Sequence, residues 1–260
     1  MKADFDLMNL SIQYDQEGSA FQLGFQILRE QGPGLIPLCP LNGHFTRETI
    51  RELVQISCEV FSRTYFFIPD SPTVHTLLAR GKSLDEAKKK AKQQSKQLLR
   101  RTEAALSEFG TRGGRAQLLD WDRDIARQPV YRDELKRVVR LFEQSEDFRT
   151  TVEQETDLVL QSGVGKSPSE EQIRLGVPYV WEELAFLASV HRILDVERIG
   201  YVYHKAWFLT DVIDGRFDGQ HLNHLGFVLV NRAAAKQIQQ AGLPNLAPPS
   251  PGQGAVFHCA

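Results

Sequence analysis

Short apolar runs and helically spaced apolar positions alternate along the first third of the chain. The run from Leu35 to Leu41 ends at Asn42-Gly43, and a second run from Tyr65 to Ile68 ends at Pro69-Asp70. Continuous apolar runs of this length bounded by turn residues are typical of buried strands. Between them, apolar residues recur at helical spacing after Thr46, which can cap a helix. The pattern predicts a strand-helix-strand unit.

The middle of the chain predicts a long helix. Ser83 and Glu86 form a capping box at its start, and Gly110 stands where a helix ending at Phe109 would be terminated. Further apolar periodicity predicts helices over Tyr131 to Gln144, Phe148 to Gln161 and Pro168 to Ala188, the last with a kink at Pro178, and strands over Arg198 to His204 and Phe227 to Val230.

These elements predict an α/β fold with a mostly parallel sheet, because strand-helix-strand units cross over right-handedly between parallel strands. Ligands in such sheets bind beyond the carboxyl ends of the strands, where Cys39 and Asn42 fall. The alternation gives one α/β domain over residues 1–242. Residues 243–260 form a tail rich in proline and glycine, which is expected to be flexible.

Composition supports a globular protein. The chain has 260 residues, of which 42% are hydrophobic and 25% charged, and this excludes disordered and collagen-like chains. The formal net charge of -2 argues against wholesale coating of nucleic acid, so a binding patch would have to be local. No signal-type or membrane-spanning apolar run is visible, and we expect a cytoplasmic protein.

A local patch of this kind lies on the predicted long helix. Spacings of three and four residues align a basic stripe of Lys89, Lys92, Lys96 and Arg100, with Arg101 beside it. No acidic residue occurs between Glu86 and Glu103, so these cations lack local partners. The stripe favours phosphate binding along a nucleic acid, with a solvated helix face as the alternative.

Cys39 is a candidate nucleophile. The chain has three cysteines at wide spacing, which makes a disulfide framework unlikely and predicts reduced thiols. A strand end followed by a loop fixes a side chain while exposing it, and Asn42 follows in that loop. The alternative is a small buried hydrophobic residue, the commoner role of a free cysteine.

Tyr179 and Glu183 are four residues apart and share one face of a predicted helix. Glu183 interrupts an otherwise apolar stretch and needs a cationic partner if it is buried. A substrate ammonium and a structural arginine could each serve.

Two other patterns carry no site. Gly163 to Ser167 imitates the end of a phosphate-binding loop, but the first glycine of that motif is replaced by Leu160 and the segment follows a helix. The histidines lack paired cysteine ligands or an HExxH helix, so neither a metal site nor a cofactor is expected.

Taken together, these motifs resemble the cyclodipeptide synthases, which make cyclic dipeptides from two aminoacyl-tRNAs. The segment from Leu35 to Thr46 resembles the family's nucleophile strand and loop, with Asn42 as the asparagine of the subfamily named for Asn, Tyr and His. Tyr179 and Glu183 match its Tyr-x-x-x-Glu pair, and Tyr203-His204 its Tyr-His dipeptide. Cys39 departs from the usual serine, and Pro37 from the usual glycine.

The resemblance implies a Rossmann-like fold similar to the catalytic domains of tyrosyl- and tryptophanyl-tRNA synthetases, and a monomer. It implies a ping-pong reaction without ATP. Cys39 takes the first aminoacyl group as a thioester, Glu183 and Tyr179 hold its ammonium, and a second aminoacyl group is joined to it. The dipeptidyl enzyme then cyclises with Tyr203 as proton relay, while Asn42 and His204 position the groups.

The same resemblance implies where the substrates lie. The basic stripe and Arg101 correspond to the family's tRNA-binding helix, and Glu155 lies near a second side-chain pocket that suits a polar or cationic residue. The residues expected around the first pocket are Leu35, Pro37, Phe67 and Phe186. Two alternatives remain open: a Cys-His thiol hydrolase or acyltransferase, and a non-catalytic tRNA-binding module.

Overall fold

The computed structural model describes residues 10–13, 19–109, 115–164, 167–203, 207–213, 215–217 and 222–232. The predicted tail, residues 243–260, and the predicted terminator Gly110 lie outside these ranges.

Six strands form one sheet in the order β1-β6-β5-β2-β3-β4. Only β1 is antiparallel to its neighbour; the other pairings are parallel. This confirms the predicted α/β fold with a mostly parallel sheet. The strands are β1 Leu10–Gln13, β2 Gly34–Pro37, β3 Thr64–Ile68, β4 Ala116–Asp120, β5 Ile199–Tyr203 and β6 Leu225–Arg232.

Eight α-helices and one turn of π-helix, Trp121–Ile125, connect the strands within the described ranges. The α-helices are α1 Ser19–Arg29, α2 Arg47–Val60, α3 Asp70–Ala79, α4 Leu84–Phe109, α5 Pro129–Gln144, α6 Glu146–Val164, α7 Glu170–Leu194 and α8 Trp207–Ile213.

Side-chain capping sets the starts of the principal helices. The Thr46 hydroxyl accepts from the Thr49 amide at 3.2 Å and begins α2. The predicted box at the start of α4 is present, since the Ser83 amide donates to Glu86 at 3.1 Å and the Glu86 amide to the Ser83 hydroxyl at 3.4 Å. These reciprocal bonds satisfy amides that a helix start leaves without partners.

Several boundaries differ from those predicted. The strand β2 ends at Pro37 and not at Leu41, because the chain turns after Cys39, where the Asn42 amide donates to the Cys39 carbonyl at 3.1 Å. The helix α7 begins after a Ser169–Gln172 capping box and runs unbroken through Pro178 to Leu194, six residues beyond the predicted Ala188. The helices α1, α3 and α8 and the strands β1 and β4 were not predicted.

Alternating side chains divide the core between the two faces of the sheet. Leu35, Phe67 and Tyr201 belong to one buried cluster with residues of α5, α6 and α7. Ile36 and Phe66 belong to a second cluster with residues of α2 and α4. The chain passes from β2 to β3 and β4 on one side, and places β5 and β6 on the other. The order therefore reverses between β2 and β5, and open parallel sheets bind ligands at such a point.

Candidate active site

Cys39 lies two residues beyond the end of β2, at the point where the strand order reverses. Its side chain is buried, with 2% exposed. The Leu38 amide donates to the Phe67 carbonyl at 2.9 Å, which extends the pairing of β2 with β3 up to the residue before Cys39. The sheet therefore fixes the position of Cys39, as expected for a strand end, but the expected exposure of its side chain is wrong, because the side chain is buried.

Cys58 lies partly buried on α2 and is not part of a disulfide.

Tyr179 reaches Cys39 from α7. Its hydroxyl oxygen lies 3.6 Å from the Cys39 Sγ, within the range of a hydrogen bond to sulfur. Both side chains are almost fully buried. Two residues that are 140 positions apart in the sequence thus meet at the carboxyl end of β2, and the contact joins the two motifs predicted to form one site.

Glu183 lies one helical turn after Tyr179, and its Oε1 accepts a hydrogen bond of 3.0 Å from the Tyr201 hydroxyl. Desolvation raises the pKa of this carboxyl to about 7, and the charge of Glu155 adds to the rise. Hydrogen bonds from Tyr201 and Tyr179 act in the opposite direction and lower this pKa. Among the described residues no arginine, lysine or histidine forms an ion pair with Glu183. The structural arginine considered from the sequence is not found there.

Asn42 presents a free donor near Cys39. Its Oδ1 accepts a hydrogen bond of 2.9 Å from the His44 amide, and this bond distinguishes the Oδ1 end of the side chain from the Nδ2 end. The Nδ2 is buried and has no hydrogen-bond partner among the described residues. A buried amide without a partner is costly, and such groups often mark a place for a ligand.

The Tyr-His dipeptide falls at the carboxyl end of the neighbouring strand. Tyr203 is the last residue of β5, so its backbone ends beside the end of β2. The Tyr203 side chain and all of His204 lie outside the described residues.

The residues expected around a first pocket lie close to one another. Leu35, Phe67 and Phe186 are fully buried in one cluster, and the rings of Phe67 and Phe186 are 4.8 Å apart between centroids. Pro37 is buried and pairs with Phe67 across β2 and β3. Glu155 lies on α6, half-buried, and desolvation raises the pKa of its carboxyl.

The basic stripe is exposed on α4. Lys89, Lys92, Lys96 and Arg100 are all exposed, and none is in an ion pair with another described residue. Arg101 differs from these four, because its Nη1 donates to the Phe45 carbonyl at 2.8 Å. Phe45 follows Asn42 in the loop after β2, so Arg101 connects the basic helix to the loop that holds Cys39 and Asn42.

Sequence reasoning missed Tyr201 and the structural contact of Arg101. Alternation along β5 could have placed Tyr201 on the face opposite Val202, but the contact with Glu183 depends on how α7 crosses the sheet. No sequence signal gave that crossing.

Within the described ranges, no group of three or more His, Cys, Asp or Glu side chains could hold a metal ion. Of the clustered histidines, His224 is described: it is buried, and its Nε2 lies 2.8 Å from the Leu187 carbonyl oxygen. His204, His221 and His258 lie outside the described ranges. No described helix is both long and apolar enough to cross a membrane.

Comparison with known proteins extends this picture. A curated relative, the cyclo(L-leucyl-L-phenylalanyl) synthase of Streptomyces noursei, is 28% identical over 197 residues, which cover 75% of this chain and 82% of the relative. A Mycobacterium tuberculosis structure, described as demonstrating that cyclodipeptide synthetases are related to type I tRNA synthetases, has a TM-score of 0.74 at 19% identity, covering 87% of this chain and 95% of its own.

A third structure is the cyclodipeptide synthase of Candidatus Glomeribacter gigasporarum bound to Phe-tRNAPhe, with a TM-score of 0.55 at 15% identity over 87% of this chain and 96% of that one. At these identities the two structures support the Rossmann-like fold. The sequence itself matches the cyclodipeptide synthase family over residues 24–232, which is most of its length. The chain therefore belongs to the cyclodipeptide synthase family.

Proposed function

We propose that this cyclodipeptide synthase takes both amino acids from aminoacyl-tRNAs and carries the first one as a thioester on Cys39. The observation that carries the proposal is the contact of 3.6 Å between Cys39 Sγ and the Tyr179 hydroxyl, with Glu183 one helical turn away. It unites a nucleophile with a site for an ammonium group. The tRNA-bound relative supports aminoacyl-tRNA as the source.

In the first step, the reduced thiol of Cys39 loses its proton and attacks the ester carbonyl of an aminoacyl-tRNA. A C–S bond forms, the C–O bond to the terminal ribose breaks, and the ribose oxygen leaves with a proton. The ester already carries the activation, so no ATP is required. A thioester is a good acyl donor to an amine, which makes cysteine a workable replacement for the family's serine.

The Asn42 amide supports this step. The carbonyl oxygen gains negative charge as the thiol adds, and a donor that is already oriented stabilises that charge without reorganisation. The Asn42 Nδ2 is buried, has no partner within the described part of the chain, and belongs to the turn that begins at Cys39. We assign it the role of donor to the acyl oxygen.

Glu183 and Tyr179 hold the ammonium group of the bound aminoacyl group. A carboxylate in a desolvated site gains from pairing with a cation, and a charge-assisted hydrogen bond adds direction. The Tyr179 hydroxyl connects this ammonium site to Cys39. The same two residues therefore orient the amine for the second step.

In the second step, the deprotonated amine of the Cys39-bound aminoacyl group attacks the ester of a second aminoacyl-tRNA. An amide bond forms, the C–O bond to the second ribose breaks, and the ribose oxygen leaves with the proton that the amine loses, so that a dipeptide stays on Cys39 through its first residue. The free amine of the second residue then attacks the thioester, which closes the ring and releases the thiol. Tyr203 relays the proton, and His204 positions these groups.

The remaining roles concern recognition. The side-chain pocket for the first residue consists of Leu35, Pro37, Phe67 and Phe186, and the half-buried Glu155 favours a polar or cationic second residue. The tRNA lies along Lys89, Lys92, Lys96 and Arg100, with Arg101 at the edge of that surface. We also propose a cytoplasmic protein, because aminoacyl-tRNAs are made and used in the cytoplasm, and a monomer, which rests on the family resemblance alone.

The direct test is product formation. Reduced protein is incubated with a mixture of charged tRNAs, and the extract is searched by mass spectrometry for diketopiperazines. Cyclic dipeptides in the parent reaction, absent from the Cys39→Ala reaction, support the proposal. Free amino acids released without any cyclic product would instead support the thiol hydrolase.

A further inference from the structure

Tyr201 lies on β5, an inner strand of the sheet, and reaches the candidate site through its hydroxyl. It is fully buried, lies opposite Leu35 in the parallel register of β5 and β2, and packs its ring edge-on against Phe227 with centroids 5.8 Å apart. A strand in the middle of a sheet and a packed ring leave the hydroxyl little freedom. That hydroxyl donates to Glu183 Oε1 at 3.0 Å.

Three described groups from three elements act on the Glu183 carboxyl besides its desolvation. Tyr179 belongs to the same helix, α7, and donates a hydrogen bond; Tyr201 donates from β5; Glu155 repels from α6. Tyr201 is thus the donor that reaches Glu183 from a rigid element other than its own helix.

We propose that Tyr201 is a positioning residue for the ammonium site, whose hydroxyl holds Oε1 of Glu183 so that Oε2 faces the amine of the substrate. The inference rests on the proposed role of Glu183 in binding that amine. A carboxylate has two oxygens that can accept bonds in different directions, and a fixed donor on one of them sets the direction of the other. Preorganisation of this kind is what a second, supporting residue supplies to a binding site.

Loss of the Tyr201 hydroxyl is expected to change the pKa of Glu183, whereas a general loosening of the core is not. Without the donor, the negative form of Glu183 loses stabilisation, so its pKa rises further above about 7. The ammonium site then forms only at higher pH. Removal of Glu155, which repels Glu183, has the opposite sign and lowers that pKa.

The test measures binding without chemistry. In reduced Cys39→Ala protein, the affinity for charged tRNA is divided by the affinity for the same uncharged tRNA, between about pH 6 and pH 8.5. This ratio isolates the contribution of the aminoacyl group. Addition of Tyr201→Phe is expected to lower this affinity ratio about tenfold near neutral pH. It is also expected to raise the pH at which the ratio begins to increase. Glu155→Gln is expected to move it to lower pH.

The matched control is Tyr65→Phe. Tyr65 is also a buried strand tyrosine, but its hydroxyl accepts from Arg63 at 3.2 Å, so this change should leave the profile in place. A Tyr201→Phe profile that coincides with the control overturns the inference. A parent protein that does not distinguish charged from uncharged tRNA overturns the ammonium site itself, which is a different result.

A second variant covers the case in which Tyr201→Phe fails to fold. A ring-fluorinated tyrosine at position 201 keeps the shape of the side chain but is a stronger donor. It is expected to move the profile to lower pH, and an unmoved profile contradicts the inference. In a Glu183→Gln background neither change at position 201 should matter, because Tyr201 acts through Glu183.

Discussion

Glu183 is a carboxyl group for which burial and function have opposite demands. Desolvation raises its pKa to about 7, yet pairing with an ammonium needs the charged form. The two tyrosine hydroxyls that donate to it reduce this conflict, and a bound cation would reduce it further. If Glu183 binds the substrate ammonium as proposed, we expect its carboxyl to be charged in the complex and only partly charged without substrate.

The sign of the pH dependence follows from this shift. The folded state holds the Glu183 proton between the unfolded pKa and about 7, whereas the unfolded state has lost it. The free energy of unfolding therefore falls as pH rises through that window and stays lower above it. Activity has the opposite trend, because the charged form appears only as pH rises through about 7.

Glu183→Gln separates these two effects. The amide keeps the shape and can still accept from Tyr201, but it removes the charge, so we expect product formation to fall about 10- to 100-fold or more. At pH 8 the melting temperature of the variant should equal or exceed that of the parent, since the desolvated charge is gone. An active variant removes Glu183 from the mechanism, and a variant that melts lower at pH 8 indicates a structural role.

The sequence located Cys39, Asn42, Tyr179 and Glu183 but not what holds them. Residue types and spacings identify groups that could carry chemistry, and the family resemblance relates them to one another. The Tyr201 bond to Glu183 joins residues 18 apart across a helix–sheet contact. Side-chain direction at such a contact depends on packing, which spacing does not encode.

At the scale of elements, two neighbouring arginines of α4 have different surroundings and different expected roles. Arg100 is exposed and has no ion pair among the described residues, whereas Arg101 holds the Phe45 carbonyl in the loop that follows Cys39 and Asn42. One side chain is free for phosphate and the next one is part of the loop support. A double substitution at both positions would mix the two effects.

The two arginines should therefore differ when they are substituted singly. Arg100→Ala is expected to raise KM for charged tRNA with little change in kcat, because it removes one phosphate contact. Arg101→Ala is expected to lower kcat as well, since loss of the hydrogen bond to Phe45 makes the loop that holds Cys39 and Asn42 more mobile. Steady-state kinetics with one charged tRNA measures both, and identical effects on kcat and KM would contradict this division.

The exposed lysines test the tRNA surface without touching the loop. Lys92→Glu with Lys96→Glu should weaken tRNA binding and reduce the slope of log affinity against log salt by about two. The matched control is Arg132→Glu with Lys136→Glu, which makes the same charge change at exposed positions four apart on α5. Equal losses in both double variants would mean that net charge, and not the stripe, governs binding.

Capping chemistry made α2 and α4 predictable, because Thr46 and the Ser83–Glu86 box fix a helix start within a few residues. The short helix α3 was missed because Pro69-Asp70 reads as a turn and α3 begins there, at Asp70. The strand β4 was missed because it lies at the sheet edge with mixed burial, so no clear apolar alternation marks it.

At the scale of the molecule, the sequence predicted the fold class and the end of the sheet that carries the site. Parallel crossover rules and the position of Cys39 after a strand were sufficient for that. The strand order was not predicted: the placement of β5 beside β2, which brings Tyr203 to the same edge as Cys39, depends on long-range pairing. Membership of the cyclodipeptide synthase family favours a synthase over the two other functions considered from the sequence, a thiol hydrolase and a non-catalytic tRNA-binding module.

The central claim is that Cys39 carries the first amino acid. Protein reduced with a phosphine, which does not exchange with thioesters as a thiol reductant does, is mixed briefly with one charged tRNA and examined by intact-protein and peptide mass spectrometry. We expect one added aminoacyl mass on Cys39 that neutral hydroxylamine removes. Cys58→Ala is the matched control and should keep both the adduct and the product.

Two substitutions at position 39 complete this measurement. Cys39→Ser should retain part of both the adduct and the product, since an oxygen ester can replace the thioester. Cys39→Ala should lose both adduct and cyclic dipeptide. Full diketopiperazine yield from reduced, folded Cys39→Ala protein would contradict the covalent mechanism.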